Sequence, residues 1–190
     1  MSFSITTERL LLSDLTEHDL AGIRRIARDR DVMRYVLLWL ENDEQVLAFH
    51  RNAVDESRQA DRMEYMFAVR LPGNGAFAGI SFLAIDPELK STAEVGYVLL
   101  PEYWNSGYAT EILRALLGFG FDRLSLHRVY GKCDELNLAS ARVMEKCGLV
   151  YEGTIREHVW LRDHWRSTCY YGMLAGEYSS RASRAGDHPL

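Results

Sequence analysis

A chain of 190 residues is long enough for one substantial hydrophobic core and short for two ordinary domains. Its hydrophobic fraction of 47% and charged fraction of 26% exclude the disordered and fibrous classes, and a formal net charge of -5 without a Lys/Arg block argues against nucleic acid as a partner. Cys133, Cys147 and Cys169 have neither CxxC spacing nor a nearby His at metal-ligand intervals, so buried free thiols are expected, with no disulfide framework and no metal site.

Residues Met1 to Glu8 hold no basic segment followed by an apolar one, and no run of roughly 18 apolar residues occurs anywhere, which predicts a cytoplasmic protein without a membrane partner. Arg9 to Leu12 reads as a first strand. Thr16-Glu17-His18-Asp19 resembles a capping box ahead of a helix with Leu20, Ile23 and Ala27 at helical spacing. Asp31 to Tyr35 predicts a further turn before Trp39-Leu40. Asn42 with Gln45 repeats the cap pattern and opens a helix through Val46, Phe49 and Ala53, which the charged stretch Asp55 to Arg62 ends.

From Met63 the pattern turns β-rich: Tyr65 to Val69, Phe77 to Ile85 and Glu94 to Leu100 are separated by Pro72-Gly73-Asn74-Gly75 and Asp86-Pro87, as consecutive antiparallel strands would be. After Pro101, the stripe Ala109, Ile112, Leu113, Leu116, Leu117 predicts an amphipathic helix fraying at Gly118 and Gly120. His127 to Asp134 reads as a strand, Asn137 to Cys147 as a helix closed by Gly148, and the remainder from Leu149 as two strands around Arg162-Asp163-His164. This order predicts the α/β class: one domain over residues 1–178 with a mixed, mostly antiparallel sheet of about seven strands flanked by helices. Residues 179–190 are polar and expected to be a disordered tail.

The most informative segment is Tyr103-Trp104-Asn105-Ser106-Gly107-Tyr108-Ala109-Thr110, between an apolar strand and the amphipathic helix. A helix start exposes unpaired N–H groups and the positive end of the helix dipole, and a residue without Cβ lets a phosphate approach the main chain. Gly107 meets that need, although a lone glycine before a helix also serves as a plain turn. The segment is neither GxGxxG nor GxxxxGK[ST], so nucleotide folds built on those loops lose support and the pyrophosphate of another cofactor comes into consideration.

From Thr7 to about Leu174 the chain resembles the GNAT superfamily of N-acetyltransferases, in particular its RimJ/RimL-like branch of ribosomal-protein N-terminal acetyltransferases. Three stretches carry the resemblance in order: Thr7-Glu8-Arg9-Leu10-Leu11-Leu12; Glu94-Val95-Gly96-Tyr97 with Trp104-Asn105-Ser106-Gly107-Tyr108-Ala109-Thr110-Glu111; and Asn137-Leu138-Ala139-Ser140 with Glu145-Lys146-Cys147-Gly148-Leu149. The resemblance implies a sheet splayed at the cofactor site and acetyl-CoA as cosubstrate. Its [Q/R]xxGx[G/A] loop maps onto residues 104–109, so that main-chain groups of Asn105, Ser106, Gly107, Tyr108, Ala109 and Thr110 would hold the coenzyme's pyrophosphate. Trp104 departs from the loop's first position and Asn105 replaces a glycine frequent in this branch.

The same resemblance makes Leu99 and Leu100 backbone contacts to the pantetheine arm, on a strand that parts from its neighbour at a bulge, where free N–H groups support the charge developing on the thioester oxygen. It makes Glu94 the candidate general base, directly or through water, since an amine must lose a proton before it attacks a carbonyl. A glutamate at a strand start is also commonly solvated or paired with a cation. Asn137 three residues before Ser140 has the spacing of a helix N-cap; by resemblance it also contacts pantetheine, and Ser140 protonates the departing thiolate. Many relatives place a Tyr seven residues after the Asn, where this chain has Met144. Lys146 and Arg142 stay outside the candidate site as exposed helix charges, and Cys133 and Cys147, without a base nearby in sequence, are not expected to form a covalent intermediate.

Tyr97, Tyr108 and Tyr151 read as aromatic packing. Trp39, Trp160 and Trp165 fall in the two regions that bracket the acceptor in the resembling enzymes, with core packing equally open; Ser167 stands where this branch often has Asp. The function implied is direct acetyl transfer to a primary amine, with a peptide N-terminus favoured and a small amine such as an aminoglycoside, polyamine or amino acid as the alternative. A noncatalytic acyl-CoA-binding module is a second class, against which the presence of both Glu94 and Ser140 argues. A homodimer stays open.

Overall fold

In the computed structural model, which describes residues 3–37 and 40–186, the chain begins with a hairpin that its sequence pattern conceals. β1 (Ser4–Thr6) pairs antiparallel with β2 (Leu11–Asp14), Ser4 opposite Ser13. Three residues are too few to carry a readable alternation, and β1 raises the sheet from the expected seven strands to eight.

Local capping sets the helices that follow. Asp19 accepts from the Thr16 N–H at 2.8 Å and closes a 3-10 turn (Glu17–Asp19) leading into α1 (Leu20–Arg28). Asp29 Oδ1 accepts from the N–H groups of Asp31 and Val32, both at 3.0 Å, and so starts α2 (Arg30–Met33). Asn42 caps α3 (Asp43–Glu56) by accepting from the Gln45 N–H at 2.9 Å, as the spacing predicts.

β3 (Glu64–Arg70), β4 (Phe77–Ile85) and β5 (Thr92–Leu99) form an antiparallel meander. A crossover through α4 (Tyr108–Gly118) brings β6 (Arg128–Asp134) parallel to β5. α5 (Leu138–Cys147), ended by Gly148 at φ +90°, then leads into the hairpin of β7 (Val150–Leu161) and β8 (His164–Leu174). Arg162 and Asp163 turn that hairpin with φ of +52° and +63°, the two-residue geometry that matches strand twist. The sheet order is β1-β2-β3-β4-β5-β6-β8-β7, so β8 sits against β6 and β7 is an edge.

Two expectations need correction. The helix after Pro101 does not fray at Gly118 and Gly120: it runs on into a π-turn (Phe119–Arg123) whose Phe119, Gly120 and Phe121 are buried. The polar stretch from Ser179 is not irregular either, because α6 (Ala175–Gly186) continues through it. Tyr178 anchors that helix, stacking on Phe121 at 4.8 Å and donating its hydroxyl to Asp122 at 2.8 Å.

Residues paired across a sheet share a face, so strand register assigns each side chain to a layer. One face packs α1 and α3 through Ile23, Ile26 and Val46 against Met66, Ala68 and Ile80. The other packs α4 and α5 through Ile112, Leu113, Leu116 and Met144 against Phe67, Leu83 and Val95. Each fully buried Leu or Ile among these contributes roughly 2 kcal/mol. No helix among the described residues is long and apolar enough to cross a membrane.

Candidate active site

The site begins where β5 and β6 part. Their parallel pairing holds for Thr92–Arg128, Ala93–Val129 and Glu94–Tyr130 and then stops, while β5 stays paired with β4 as far as Leu99 and β6 stays paired with β8 as far as Asp134. A wedge-shaped gap therefore opens in the middle of the sheet. No bulge makes it: the β4–β5 register is continuous from Gly79–Leu99 to Ile85–Ala93, which corrects the expected irregularity.

The ladder also decides which backbone groups face the gap. Leu100 N–H donates to Ala78 O at 2.9 Å, so alternation along β5 turns the even-numbered residues toward β4 and the N–H groups of Tyr97 and Leu99 toward the gap. Of the two predicted backbone contacts, Leu99 keeps a donor aimed at the gap and Leu100 does not. The Leu99 carbonyl accepts from Trp104 Nε1 at 2.8 Å, so the residue that departs from the loop motif ties the loop to the gap's rim.

Asn105 (φ +56°) and Gly107 (φ +80°) adopt the left-handed conformation and fold residues 104–107 into a tight loop. Gly107 is the N-cap of α4 and supplies no side-chain acceptor, leaving the N–H groups of Tyr108, Ala109 and Thr110 without helical partners. A Cβ on Gly107 would stand 3.3 Å from Arg9 Nη2 and would need a strained φ. Arg9 holds the loop from outside: it donates to Ser106 O at 2.9 Å, pairs with Glu111 and lies over the Tyr108 ring at 4.7 Å.

Glu111 completes the clamp by accepting from Thr7 Oγ1 at 2.6 Å and Arg9 N–H at 2.8 Å. These contacts hold its carboxyl below the usual range against the opposing effect of burial. Thr7, Arg9 and Glu111 carried the resemblance without a physical role; the structure supplies one. A cavity of about 650 Å³ opens beside the clamp, lined by Thr7, Arg9, Gly107 and Thr110 and by the cations Arg114 and Lys146. Lys146 thus belongs to this surface, and Arg114 was unreadable because an exposed helix arginine has no distinguishing sequence pattern.

These features fit acetyl-CoA: uncapped helix donors and three cations suit phosphates, and a sheet gap with inward N–H groups suits an extended amide-bearing arm. Asn137 N-caps α5, its Oδ1 accepting from Ser140 N–H at 3.1 Å, and this leaves its amide NH₂ available for another partner. Ser140 Oγ lies 3.3 Å from the hydroxyl of Tyr97, which descends from β5 on the α4–α5 face. Burial, opposed by the Ser140 hydrogen bond, pushes Tyr97 up to about 12, so the phenol stays protonated at neutral pH. Packing was the expectation for Tyr97; the structure makes it a hydroxyl partner of Ser140.

Glu94 lies on the opposite face, in one cross-sheet row with Glu64, Ala84 and Tyr130. Its Oε2 pairs with Lys132 Nζ at 2.8 Å and accepts from the Tyr130 hydroxyl at 3.4 Å. Lys132 comes from β6 beyond the last β5–β6 pair, so this ion pair bridges the mouth of the gap. The Glu64 carboxyl in the same row is raised by partial desolvation and by repulsion from Glu56 and Glu94, although the residue keeps an exposed edge. Tyr130 stacks on Tyr170 at 6.2 Å, and His158 approaches Tyr170 at the same distance, continuing an aromatic row toward the edge strand.

Trp160 and Trp165 form an edge-to-face pair at the hairpin end, 49% and 54% exposed, so neither is a core residue. Trp39 lies outside the described residues. Ser167 accepts from Glu157 N–H at 3.3 Å inside the β7–β8 irregularity. Arg166 is buried against Asp134 and donates to the carbonyl of Arg34, tying the hairpin to the segment after α2. Burial pushes the Cys147 thiol up to about 11 and that of Cys133 up to about 12, too high for a neutral-pH nucleophile.

Comparison with known proteins agrees with this architecture. Residues 9–150 match the family model described as "Acetyltransferase (GNAT) domain". The chain is 32% identical over 177 residues to the uncharacterized N-acetyltransferase YnaD of Bacillus subtilis, covering 92% of this chain and 99% of that protein. A spermidine N-acetyltransferase from Vibrio cholerae, solved with CoA and spermine, shares its fold at a TM-score of 0.78 and 22% identity, over 91% and 99% of the two chains. RimL, a ribosomal L7/L12 alpha-N-protein acetyltransferase solved with coenzyme A, does so at a TM-score of 0.79 and 18% identity, over 90% and 98%.

Proposed function

Since the chain belongs to the GNAT acetyltransferase family, we propose that it moves acetyl from acetyl-CoA directly onto the primary amine of a peptide N-terminus, with Glu94 as base and Ser140 as proton donor. One observation carries the reading: β5 and β6 separate immediately after the Glu94–Tyr130 pair, which sets a carboxylate at the mouth of a gap whose far side holds the Ser140 hydroxyl.

Acetyl-CoA supplies an activated acyl group and a thiolate leaving group. The protein's part is positional and electrostatic. Residues 105–110 and the nearby cations hold phosphate, Tyr97 and Leu99 offer N–H groups to the charge developing on the carbonyl oxygen, and Glu94 takes the amine's proton. Ser140, backed by the protonated Tyr97, delivers a proton to sulfur.

A peptide acceptor is supported by the charge of the wall between α1–α2 and the hairpin tip. A cavity of about 290 Å³ there is lined by Arg28, Arg30, Arg34 and Arg162, against Glu41 and an Asp29 already engaged in capping α2. Such a wall repels a polyamine and suits an N-terminal segment carrying carboxylates. The carboxylates Glu64 and Glu94 of one sheet row, with Glu56 of α3 near enough to repel Glu64, favour a second reading, a small cationic amine of the kind named for the spermidine acetyltransferase. Thiol release from acetyl-CoA with acidic N-terminal peptides, spermidine and an aminoglycoside separates the two: a higher kcat/KM for the peptides is expected, and a preference for spermidine overturns the peptide reading. Tight coenzyme binding with no turnover on any amine would instead indicate a binding module.

A further inference from the structure

Lys132 occupies the position that an acceptor amine has to reach. It is the next residue after Tyr130 on the same face of β6, about 7 Å beyond the last β5–β6 pair. Its Nζ extends across the mouth of the gap to Glu94 Oε2 at 2.8 Å, and its side chain is 32% exposed.

The choice of residue is informative. The chain contains only three lysines, Lys90, Lys132 and Lys146, the rest of its 22 basic residues being arginine. Among the described residues every other ion pair to a carboxylate is made by arginine. A guanidinium would grip Glu94 with two parallel hydrogen bonds but could not give up its proton at workable pH; an ammonium can, and becomes a nucleophile when it does.

Resting on the acetyl-transfer reading above, we propose that Lys132 is itself an acetyl acceptor, modified by the protein's own site. Glu94 takes a proton from the Lys132 ammonium, and the neutral Nζ attacks the thioester carbonyl carbon. A C–N bond forms and the C–S bond breaks; Ser140 gives its proton to the departing sulfur and is reprotonated through water by the second proton leaving the nitrogen, while Glu94 releases the first proton to solvent. The products are Nε-acetyl-Lys132 and free coenzyme A. Acetylation removes the positive charge at the mouth of the gap and releases Glu94 from its partner. Before modification, an external ammonium has to displace Lys132 to reach the base; afterwards it meets a carboxylate with only the Tyr130 hydroxyl beside it.

Lys90 and Lys146 are both exposed and serve as internal controls, Lys90 for exposure and Lys146, at the phosphate cavity, for nearness to the coenzyme without a base. The protein is incubated with acetyl-CoA and no acceptor, and acetylation at each lysine is followed by peptide mass spectrometry, with coenzyme binding measured separately by calorimetry. Lys132 is expected to label at least about tenfold faster than Lys90 and Lys146, with a matching release of thiol, because a positioned base accelerates only the amine it touches. Glu94→Gln should slow Lys132 without changing the other two, and Lys132→Arg should abolish the thiol burst. Labelling that follows exposure, with Lys90 and Lys146 ahead, or a Lys132 rate indifferent to Glu94→Gln, overturns the proposal. Intact coenzyme binding with Lys132 unlabelled overturns it while leaving the acetyltransferase reading in place; absence of binding removes both.

Discussion

At the loop before α4, the donors aimed at the coenzyme's pyrophosphate are main-chain N–H groups from consecutive residues, Tyr108, Ala109 and Thr110, behind a glycine cap. On the α1 side of the gap the groups are side chains, Glu94, Tyr130 and Lys132, delivered by two strands that meet only in the folded sheet. A backbone cradle keeps its donors through most side-chain changes and depends on conformation. A side-chain cluster is insensitive to small backbone adjustments and depends on the identity of each group.

The largest test of this contrast lies where the hairpin joins the α1–α2 segment. Arg166→Ala strands the buried Asp134 carboxylate and frees the Arg34 carbonyl, so a loss of about 3–5 kcal/mol in denaturant unfolding is expected. A loss typical of a surface pair would mean that the acceptor-side wall is not built on this buried charge. Next comes Glu94→Gln, expected to lower turnover about 100-fold at neutral pH with a smaller deficit at high pH, where the acceptor amine loses its proton unaided. An equal effect at all pH values would remove Glu94 as base.

Gly107→Val should weaken coenzyme binding about tenfold, since a β-branched residue at φ +80° costs roughly 1–2 kcal/mol and its Cβ meets Arg9. Ser106→Ala, which leaves the N–H donors and the two left-handed residues in place, should change coenzyme Kd by less than about threefold. If it matched Gly107→Val, the cradle would be working through side chains and the contrast would fail.

The smallest effect belongs to the thiols. Cys147→Ala should leave neutral-pH turnover within about twofold, because a thiol pushed up to about 11 is protonated there. Its raised value has a sign for stability: the folded state holds the proton more tightly than the unfolded chain. The contribution is complete below the ordinary thiol value of 9.0 and is lost as pH rises through about 11. Thermal melts across that window should fall less steeply in Cys147→Ala than in the parent protein.

Much of this molecule is readable from its sequence, and the readable parts share a cause. Asn42, Asn137, Gly148 and the Arg162-Asp163 turn act on backbone within a few residues of themselves, so their chemistry is written in local spacing. The stripe through Ile112, Leu113 and Leu116 is equally local, because helical periodicity alone decides which side meets the core. β1 escapes because three residues carry no period, and the helix over residues 179–186 escapes because its anchor, Tyr178 on Phe121 and Asp122, is remote in sequence.

By itself, the sequence determined the order of elements from β2 to β8, the caps at Asn42, Asn137 and Gly148 and the glycine that ends the loop before α4, since each is decided by torsion preferences and hydrogen bonds among near neighbours. Only the tertiary structure decided that β5 and β6 separate after Glu94, that Lys132 pairs with that carboxylate, that Tyr97 backs Ser140, and that Leu100 is already bonded to Ala78. Strand register is set by the sum of packing across the whole sheet, and a shift of one residue would send each of these groups to the other face.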